Sequence, residues 1–203
     1  MFSIKLTTYQ VVIKRTFDFF LSLFGILIFS PVILIGFLIA SIDTKSCGFF
    51  FQQRVGLNGQ LFKVIKLKTM RPIKGFDTTV TSVDDPRITR IGSSLRTLKL
   101  DELPQLFNVL IGNMSFVGPR PDVPGYADRL VGRDKVILTI KPGITGPASI
   151  KYKNEEQILS SQEFPEKYNL QVIFPDKVEI NIKYIENWTL VNDIKYILKT
   201  IVG

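Results

Sequence analysis

The chain has 203 residues, 45% of them hydrophobic, which allows one compact domain with a core and a short appendage, and argues against global disorder. It contains no histidine and one cysteine, Cys47, which excludes a Ser-His-Asp triad, a His base or phosphocarrier, His-bound metal, an internal disulfide and a thiolate zinc cluster. Any metal must therefore sit on oxygen, as magnesium, calcium or manganese do, and the formal charge of +8 suits nucleic acid, an anionic membrane surface or a phosphorylated substrate.

Residues 19–42, FFLSLFGILIFSPVILIGFLIASI, carry no charge. At about 1.5 Å per residue a helix of this length reaches across a hydrocarbon core, and soluble helices this apolar on every side are rare. A signal peptide fits less well, because the stretch is long and no small-x-small cleavage site with a polar start follows. Ser30-Pro31 lies near the centre. Proline lacks a donor and crowds the carbonyl four residues back, so a kink or break is expected there, with the Ser30 hydroxyl satisfying a freed carbonyl. Lys5, Lys14 and Arg15 precede the segment, and Lys45, Arg54, Lys63, Lys66, Lys68, Arg71 and Lys74 separate Asp43 from the next acid, Asp77. Two basic flanks both favour the cytoplasmic side. A re-entrant helix broken at Ser30-Pro31 meets that demand, and an ordinary proline-kinked span is the alternative. Lys14 or Arg15 is spaced to pair with Asp18 and fix the entry point.

From Gly48 onward the sequence reads as a compact cytoplasmic domain. Two alternating stretches flank Leu57-Asn58-Gly59-Gln60 and predict a hairpin. On its second strand Lys66 and Lys68 share a face at period two, where both ammonium groups could meet one anion; lysines guarding a strand edge are the plainer reading. Residues 71–87 form a loop with Pro72, Gly75 and Asp84-Asp85-Pro86. Helical periodicity resumes near Thr89 and places Ile91, Leu95 and Leu98 on one side. Gly112 ends the LPQLFNVL helix, and in VGPRP two prolines hold Arg120 on a stiff turn. From about Lys177, residues Ile180, Tyr184, Trp188, Val191, Ile194, Ile197, Leu198 and Ile201 trace one or two amphipathic helices, facing either the membrane interface or the core.

Residues 98–110, LKLDELPQLFNVL, set Asp101 and Glu102 side by side. Asp101 suits a helix N-cap, Glu102 the positive end of the dipole and Pro104 the first turn. The same geometry suits chemistry. Neighbouring helical side chains diverge by about 100°, so one carboxylate can ligate a hard cation while the other attacks. An ionised Asp is a nucleophile at phosphorus that needs no base. Exposed amides at the helix start, Arg96 and Arg120 would offset phosphoryl charge. Both readings stay open on these residues.

Laid end to end, KRTFDF (14–19), Ser30-Pro31, QRVG (53–56), KLKTM (66–70), DPRITRIGSSLR (85–96), LDELPQLFNVLIGNMSFVGPRP (100–121) and KPGITG (141–146) resemble the bacterial sugar transferase family, the monotopic phosphoglycosyl transferases. The resemblance runs from about residue 14 to the end. It implies transfer of a sugar 1-phosphate from a UDP-sugar to undecaprenyl phosphate with release of UMP, using Mg2+ (Mn2+ as an alternative), at the cytoplasmic face of a bacterial inner membrane. It implies that Asp101 attacks the β-phosphate to give a covalent phosphosugar-enzyme, that Glu102 supports it and the metal, and that Asp101 and Glu102 are the metal ligands. Arg96 and Arg120 match family arginines of the active site; Lys66, Lys68 and Arg87, inside matched motifs, join them as candidate substrate- or phosphate-binding residues. Lys14, Arg15, Asp18, Ser30 and Pro31 are the candidate anchoring residues, and Ser30-Pro31 matches the break of a re-entrant helix. One departure stands out. Many relatives follow KPGITG with Trp-Ala-Gln and Asn-Gly-Arg stretches, where this chain has PASIKYKNEEQIL (147–159). The sugar is therefore not carried over.

The expected fold class is α+β: a re-entrant membrane helix broken at Ser-Pro in residues 1–43, then a mostly helical cytoplasmic catalytic domain, 44–203, with a small β-hairpin or sheet and amphipathic interface helices. The partners are a UDP-sugar, undecaprenyl phosphate and the membrane, with no nucleic acid, since no nucleic-acid motif or aromatic-basic stacking pattern appears. The alternative is a basic membrane-tethered binding or scaffold protein without catalysis.

Overall fold

Helix α1, Thr8–Thr44, begins at a capping box in which the Thr7 hydroxyl accepts from the Gln10 amide and the Gln10 side chain accepts from the Thr7 amide. It belongs to a computed structural model that describes residues 5–73 and 85–202. With 37 residues and a mean hydropathy of 2.7 over its most apolar window, α1 is long and apolar enough to cross a membrane. The expected break at Ser30-Pro31 does not interrupt it: α1 stays helical through Pro31. Pro31 cannot donate to the Leu27 carbonyl, and the Ser30 hydroxyl donates to that oxygen at 3.2 Å, so the freed acceptor is satisfied without ending the helix.

The entry residues of α1 reach into the rest of the chain rather than pairing with one another. Lys14 Nζ meets Asp193 Oδ2 at 2.6 Å, Arg15 donates to the Val109 and Leu110 carbonyls at 2.6 and 2.7 Å, and Asp18 accepts from the Phe116 amide at 3.0 Å. The anticipated pairing to Asp18 as a bonded contact is thus replaced, because each group finds a better partner on a packed element than one turn along its own helix. Residues 27–32 are exposed on every side, whereas Ser22 before them and Ile33, Gly36 and Ala40 after them are buried.

After α1 come β1, Phe49–Val55, and β2, Leu61–Leu67, paired antiparallel with Phe49 opposite Leu67 and Val55 opposite Leu61. The hairpin turn falls where the Asn-Gly signal places it, with Asn58 and Gly59 both at positive φ. Residues 74–84 of the following loop, Asp84 included, lie outside the described residues. Its ends meet at an antiparallel bridge between Met70 and Ile88.

Helix α2, Arg90–Thr97, is capped by Thr89, whose hydroxyl accepts from the Gly92 amide at 2.8 Å. Only part of its expected apolar face turns inward: Leu95 is buried, while Ile91 and Leu98 are exposed, because Gly92, backed on the Thr69 carbonyl, brings the helix in on its narrow side. A 3-10 turn, Leu100–Glu102, leads into α3, Gln105–Ile111, which ends at Gly112 in the left-handed conformation as anticipated.

Strand β3, Ser115–Val117, pairs in parallel with β4, Gly143–Thr145, joining the stretch before VGPRP to KPGITG. The approach is too close for side chains. A Cβ on Gly143 would lie 2.2 Å from the Gly118 nitrogen, and one on Gly118 2.5 Å from the Lys141 carbonyl oxygen. Short helices follow: α4, Pro147–Lys151, α5, Glu155–Ser160, and α6, Pro165–Tyr168. A π-helical turn, Asn169–Ile173, then runs into α7, Phe174–Glu186, and the chain closes with α8, Leu190–Val202. Among the described residues the core has three apolar clusters, one around Val55, Ala127 and Ile182, one around Val117, Ile185 and Trp188, and one around Val64, Val109 and Met114.

The two-helix tail matches its periodicity, and its aromatic residues choose the core. Tyr184 and Trp188 are buried, while Val191, Ile194, Leu198 and Ile201 of α8 are exposed. The reason is Asp193, 1% exposed, which takes hydrogen bonds from Tyr184 Oη at 2.7 Å and Trp188 Nε1 at 3.0 Å beside Lys14. Removing one partner of such a pair leaves a buried charge uncompensated. Lys14→Met should therefore lower unfolding stability by about 3–5 kcal/mol, with Lys14→Met/Asp193→Leu recovering much of it, read by denaturant unfolding of the detergent-solubilised protein.

Candidate active site

Asp101 and Glu102 sit in the 3-10 turn between α2 and α3. The turn is entered through Lys99, a non-glycine residue at φ 55°, a costly backbone conformation kept only where its surroundings impose it. Because α3 starts at Gln105 with no side-chain cap, Asp101 is not the N-cap that its neighbourhood suggested. Its carboxylate is left for other work.

The two carboxylates differ in their surroundings. Glu102 Oε1 is held by Lys66 Nζ from β2 at 2.7 Å and by Arg120 Nη2 from the VGPRP turn at 3.0 Å. Its side chain is 17% exposed, whereas that of Arg120 is 48% exposed and still open to an incoming anion. Glu102 is desolvated, yet Arg120 and Lys66 outweigh that and hold its carboxyl far below the usual range. Asp101 makes no ion pair among the described residues. Burial raises its pKa, Lys66 and Arg96 pull it down, and Glu102 pushes it up.

Three sets of contacts assemble this arrangement. Asn108 of α3 accepts from the Ile65 amide at 3.0 Å and donates to the Lys63 carbonyl at 2.7 Å, fixing β2, and with it Lys66, against α3. The β3–β4 pairing sets the start of VGPRP. Arg54 of β1 donates to the Pro121 carbonyl at 3.1 Å, and the Val55 amide to the Asp122 carbonyl at 2.9 Å, so the loop carrying Arg120 is tied to the hairpin.

Of the residues singled out from sequence, Lys66, Glu102 and Arg120 are in direct contact, with Asp101 beside them and Arg96 acting on Asp101 through its charge. Lys68 is not with Lys66. Strand β2 ends at Leu67, and Lys68 Nζ binds Ser46 Oγ at 2.7 Å near the end of α1, so the shared face does not persist. Arg87 pairs with buried Asp85 at 2.6 Å. Lys14, Arg15 and Asp18 belong to the docking of α1, and Ser30 and Pro31 to its exposed middle.

Two charged residues of the site escaped the sequence reading. Arg54, whose guanidinium reaches Gln52 Oε1 at 2.6 Å, has its pKa lowered by burial and by Arg120. Asp122 is pushed up to about 6 by burial, against Lys177, Arg54 and Arg120. Both lie inside or next to quoted motifs, QRVG and VGPRP, and that adjacency was the available signal.

The opposed shifts at the carboxylate pair have opposite consequences for stability. Above its ordinary value of 3.8, Asp101 costs the fold free energy, so Asp101→Asn should raise the melting temperature at pH 7 and have little effect below pH 3.8. Glu102 stabilises the fold above its ordinary value of 4.5. Glu102→Gln strips Lys66 and Arg120 of their partner and should cost about 3 kcal/mol at pH 7, a loss that shrinks as pH falls below 4.5. Thermal unfolding across pH distinguishes the two.

Comparison with known proteins gives this site a context. Residues 9–203 match the family described as bacterial sugar transferase. The exopolysaccharide production protein ExoY of Sinorhizobium fredii (strain NBRC 101917 / NGR234) is 32% identical over 93% of this chain and 83% of its own length. The exopolysaccharide production protein PSS of Rhizobium leguminosarum bv. phaseoli is 34% identical over 96% of both chains. The UDP-glucose:undecaprenyl-phosphate glucose-1-phosphate transferase of Escherichia coli (strain K12) is 34% identical over 93% of this chain, which covers 39% of that protein. With a match over nearly its whole length, the chain belongs to the bacterial sugar transferase family.

Proposed function

We propose that this protein transfers a sugar 1-phosphate from a UDP-sugar to undecaprenyl phosphate, releasing UMP, by way of a covalent phosphosugar on Asp101. The observation that carries this reading is the division of labour in the carboxylate pair: Glu102 is fastened by Lys66 and Arg120, while Asp101 is left without an ion pair among the described residues. In a chain without histidine, an ionised carboxylate is a nucleophile that needs no proton acceptor.

In the first step an Asp101 carboxylate oxygen attacks the β-phosphorus, and the bond from that phosphorus to the bridging oxygen breaks, so UMP leaves with the electron pair. In the second a phosphate oxygen of undecaprenyl phosphate attacks the same phosphorus and returns Asp101 as carboxylate. Arg120, Lys66 and Arg96 surround the transferring group with positive charge, where such charge offsets the phosphoryl oxygens.

The site also fits a hard divalent cation. Among the described residues Asp101 has no ion-pair partner, the second oxygen of Glu102 makes no hydrogen bond, and no cluster of three acidic, His or Cys ligands occurs. Mg2+ is commonly held by one or two carboxylates with phosphate oxygens and water completing its shell. Asp101 and Glu102 would hold it, and it would supply Lewis-acid neutralisation of the diphosphate.

In this reading residues 1–43 are the membrane-associated part and 44–203 the catalytic part, at the cytoplasmic face. Both ends of α1 rest on that same part, through Lys14, Arg15 and Asp18 at the start and through Gly36 against Leu67 near the end. Docking at both ends supports a helix that enters and leaves on one side, which requires the unbroken α1 to bend at Pro31, with exposed residues 27–32 as its deepest point.

The relatives' names make UDP-glucose the first donor to assay. Wild-type protein in detergent should release UMP when undecaprenyl phosphate and Mg2+ are present and lose that activity on chelation. Asp101→Asn should reduce it at least about 1000-fold, with no sugar phosphate retained on the protein after denaturation. Near-full turnover by that variant would remove Asp101 as the nucleophile. For topology, single cysteines placed at Thr8 and Lys45, in a Cys47→Ser background, should both react with a reagent confined to the cytoplasmic side. Labelling from opposite sides would leave a spanning helix.

A further inference from the structure

Asn108, in the middle of α3, is 1% exposed, and its side-chain amide is committed at both ends. The oxygen accepts from the Ile65 amide at 3.0 Å and the nitrogen donates to the Lys63 carbonyl at 2.7 Å. Those two peptide groups flank Val64, so the amide bonds β2 as one residue of a parallel neighbouring strand would. The Asn108 carbonyl accepts from the Asn113 and Met114 amides at 2.9 and 3.1 Å, which fixes the stem of that side chain to the segment entering β3.

The consequence falls on the residue after Ile65. Lys66 carries the ammonium that holds Glu102 at 2.7 Å, and Glu102 stands on the 3-10 turn ahead of α3 with Asp101 beside it. Strand β2 also meets α3 and the segment beyond it through the apolar contacts of Val64 with Val109 and Met114. Apolar attraction has no direction and leaves a strand free to settle along its own axis. Peptide groups are directional and alternate between the two edges of a strand, so the paired bonds to Asn108 reject a one-residue slip. Such a slip carries Lys66 about 3.3 Å along the strand and turns it to the opposite face. A buried amide returns little net stability once its desolvation is offset. What it supplies here is position.

Resting on the transfer reaction above, we propose that Asn108 is a positioning residue for it, which acts through Lys66 by setting that ammonium on Glu102 and keeping it off Asp101. The two carboxylates are adjacent in sequence, and the charge of Lys66 reaches both. With β2 in register the ammonium closes on Glu102, and the nucleophile keeps its oxygens for phosphorus. With β2 loosened, Lys66 is free to pair with Asp101 instead, which withdraws the attacking carboxylate. A role confined to stability has no such preference between the acids, and this difference is measurable.

The test combines unfolding and turnover of the full chain in detergent. Asn108→Ser removes the amide and leaves room for water at the freed peptide groups; Asn108→Ala, the better helix former, takes its place if Ser unfolds. Denaturant unfolding is measured for Asn108→Ser, Lys66→Met and the two together. Lys68→Met replaces Lys66→Met as the control, because Lys68 Nζ binds Ser46 and not the carboxylate pair. If Asn108 places Lys66, the loss caused by Lys66→Met shrinks at least about 5-fold in the unfolding constant once the amide is gone, while the effect of Lys68→Met is unchanged. At a temperature where the variant is folded, UMP release from UDP-glucose, or whichever UDP-sugar wild type turns over, should show kcat lowered about 10- to 100-fold with KM for the donor unchanged. Additive losses for Lys66→Met, equal coupling to both lysines, or wild-type kcat in the folded variant overturns the assignment while wild-type transfer stands. A folded wild type that releases UMP from no UDP-sugar overturns the transfer reading and the catalytic role of Asn108 with it, whatever the unfolding cycle shows.

Discussion

The salt bridge between Lys14 and Asp193 is the constraint on which much of this molecule depends. It lies in the core, both partners nearly inaccessible, and Tyr184 and Trp188 surround it with hydrogen bonds that the carboxylate would otherwise lack. Taken alone, a buried ion pair contributes little net stability, since desolvation offsets attraction. Here it specifies geometry. With Arg15 on the last carbonyls of α3 and Asp18 on the Phe116 amide, it fixes α1 against α3, β3 and α8 together. The carboxylate pair precedes α3 directly, and Arg120 follows β3 by a few residues. The apolar helix and the candidate active site therefore share a single mechanical frame.

Within that frame the site depends on unequal treatment of two adjacent acids. A lysine from a strand and an arginine from a proline-bounded turn converge on Glu102, joining three segments distant in sequence. Asp101, one residue away, is spared the same fate because the 3-10 turn points neighbouring side chains apart. Low dielectric then acts in both directions: it strengthens the Glu102 cluster and makes the Asp101 carboxylate more basic than one in water. Arg54 and Asp122 extend the charged system toward Lys177 and Glu155, so the departing segment 147–159 is electrostatically continuous with the carboxylate pair.

Features that rest on local chemistry were legible in the residues. The Asn58-Gly59 turn, the Gly112 stop, the helix start near Thr89 and the two tail helices each follow from backbone preference or periodicity over a few residues. Pairings over long distance were not. Nothing near Lys14 announces a partner 179 residues away, and helical spacing pointed to Asp18 instead. Period two placed Lys68 with Lys66, but periodicity does not say where a strand stops. The parallel joining of β3 and β4 was hidden because each strand is three residues long, too short to show alternation. Asp101, Glu102, Lys66 and Arg120 were recognisable as residue types suited to phosphate chemistry. Which carboxylate the cations would hold was decided only by packing.

The Lys14–Asp193 contact also bears on how the chain is made. Its two halves belong to α1 and α8, so a nascent chain emerging amino end first carries an unmatched lysine until α8 is made. Closure of the core must wait for α8, and a long loop has to be ordered before that contact repays it. Until then the apolar face of α1 has no finished domain to lie against, and a bilayer is the better solvent for it. Docking of α8 is then the step that completes the frame around the base of α1.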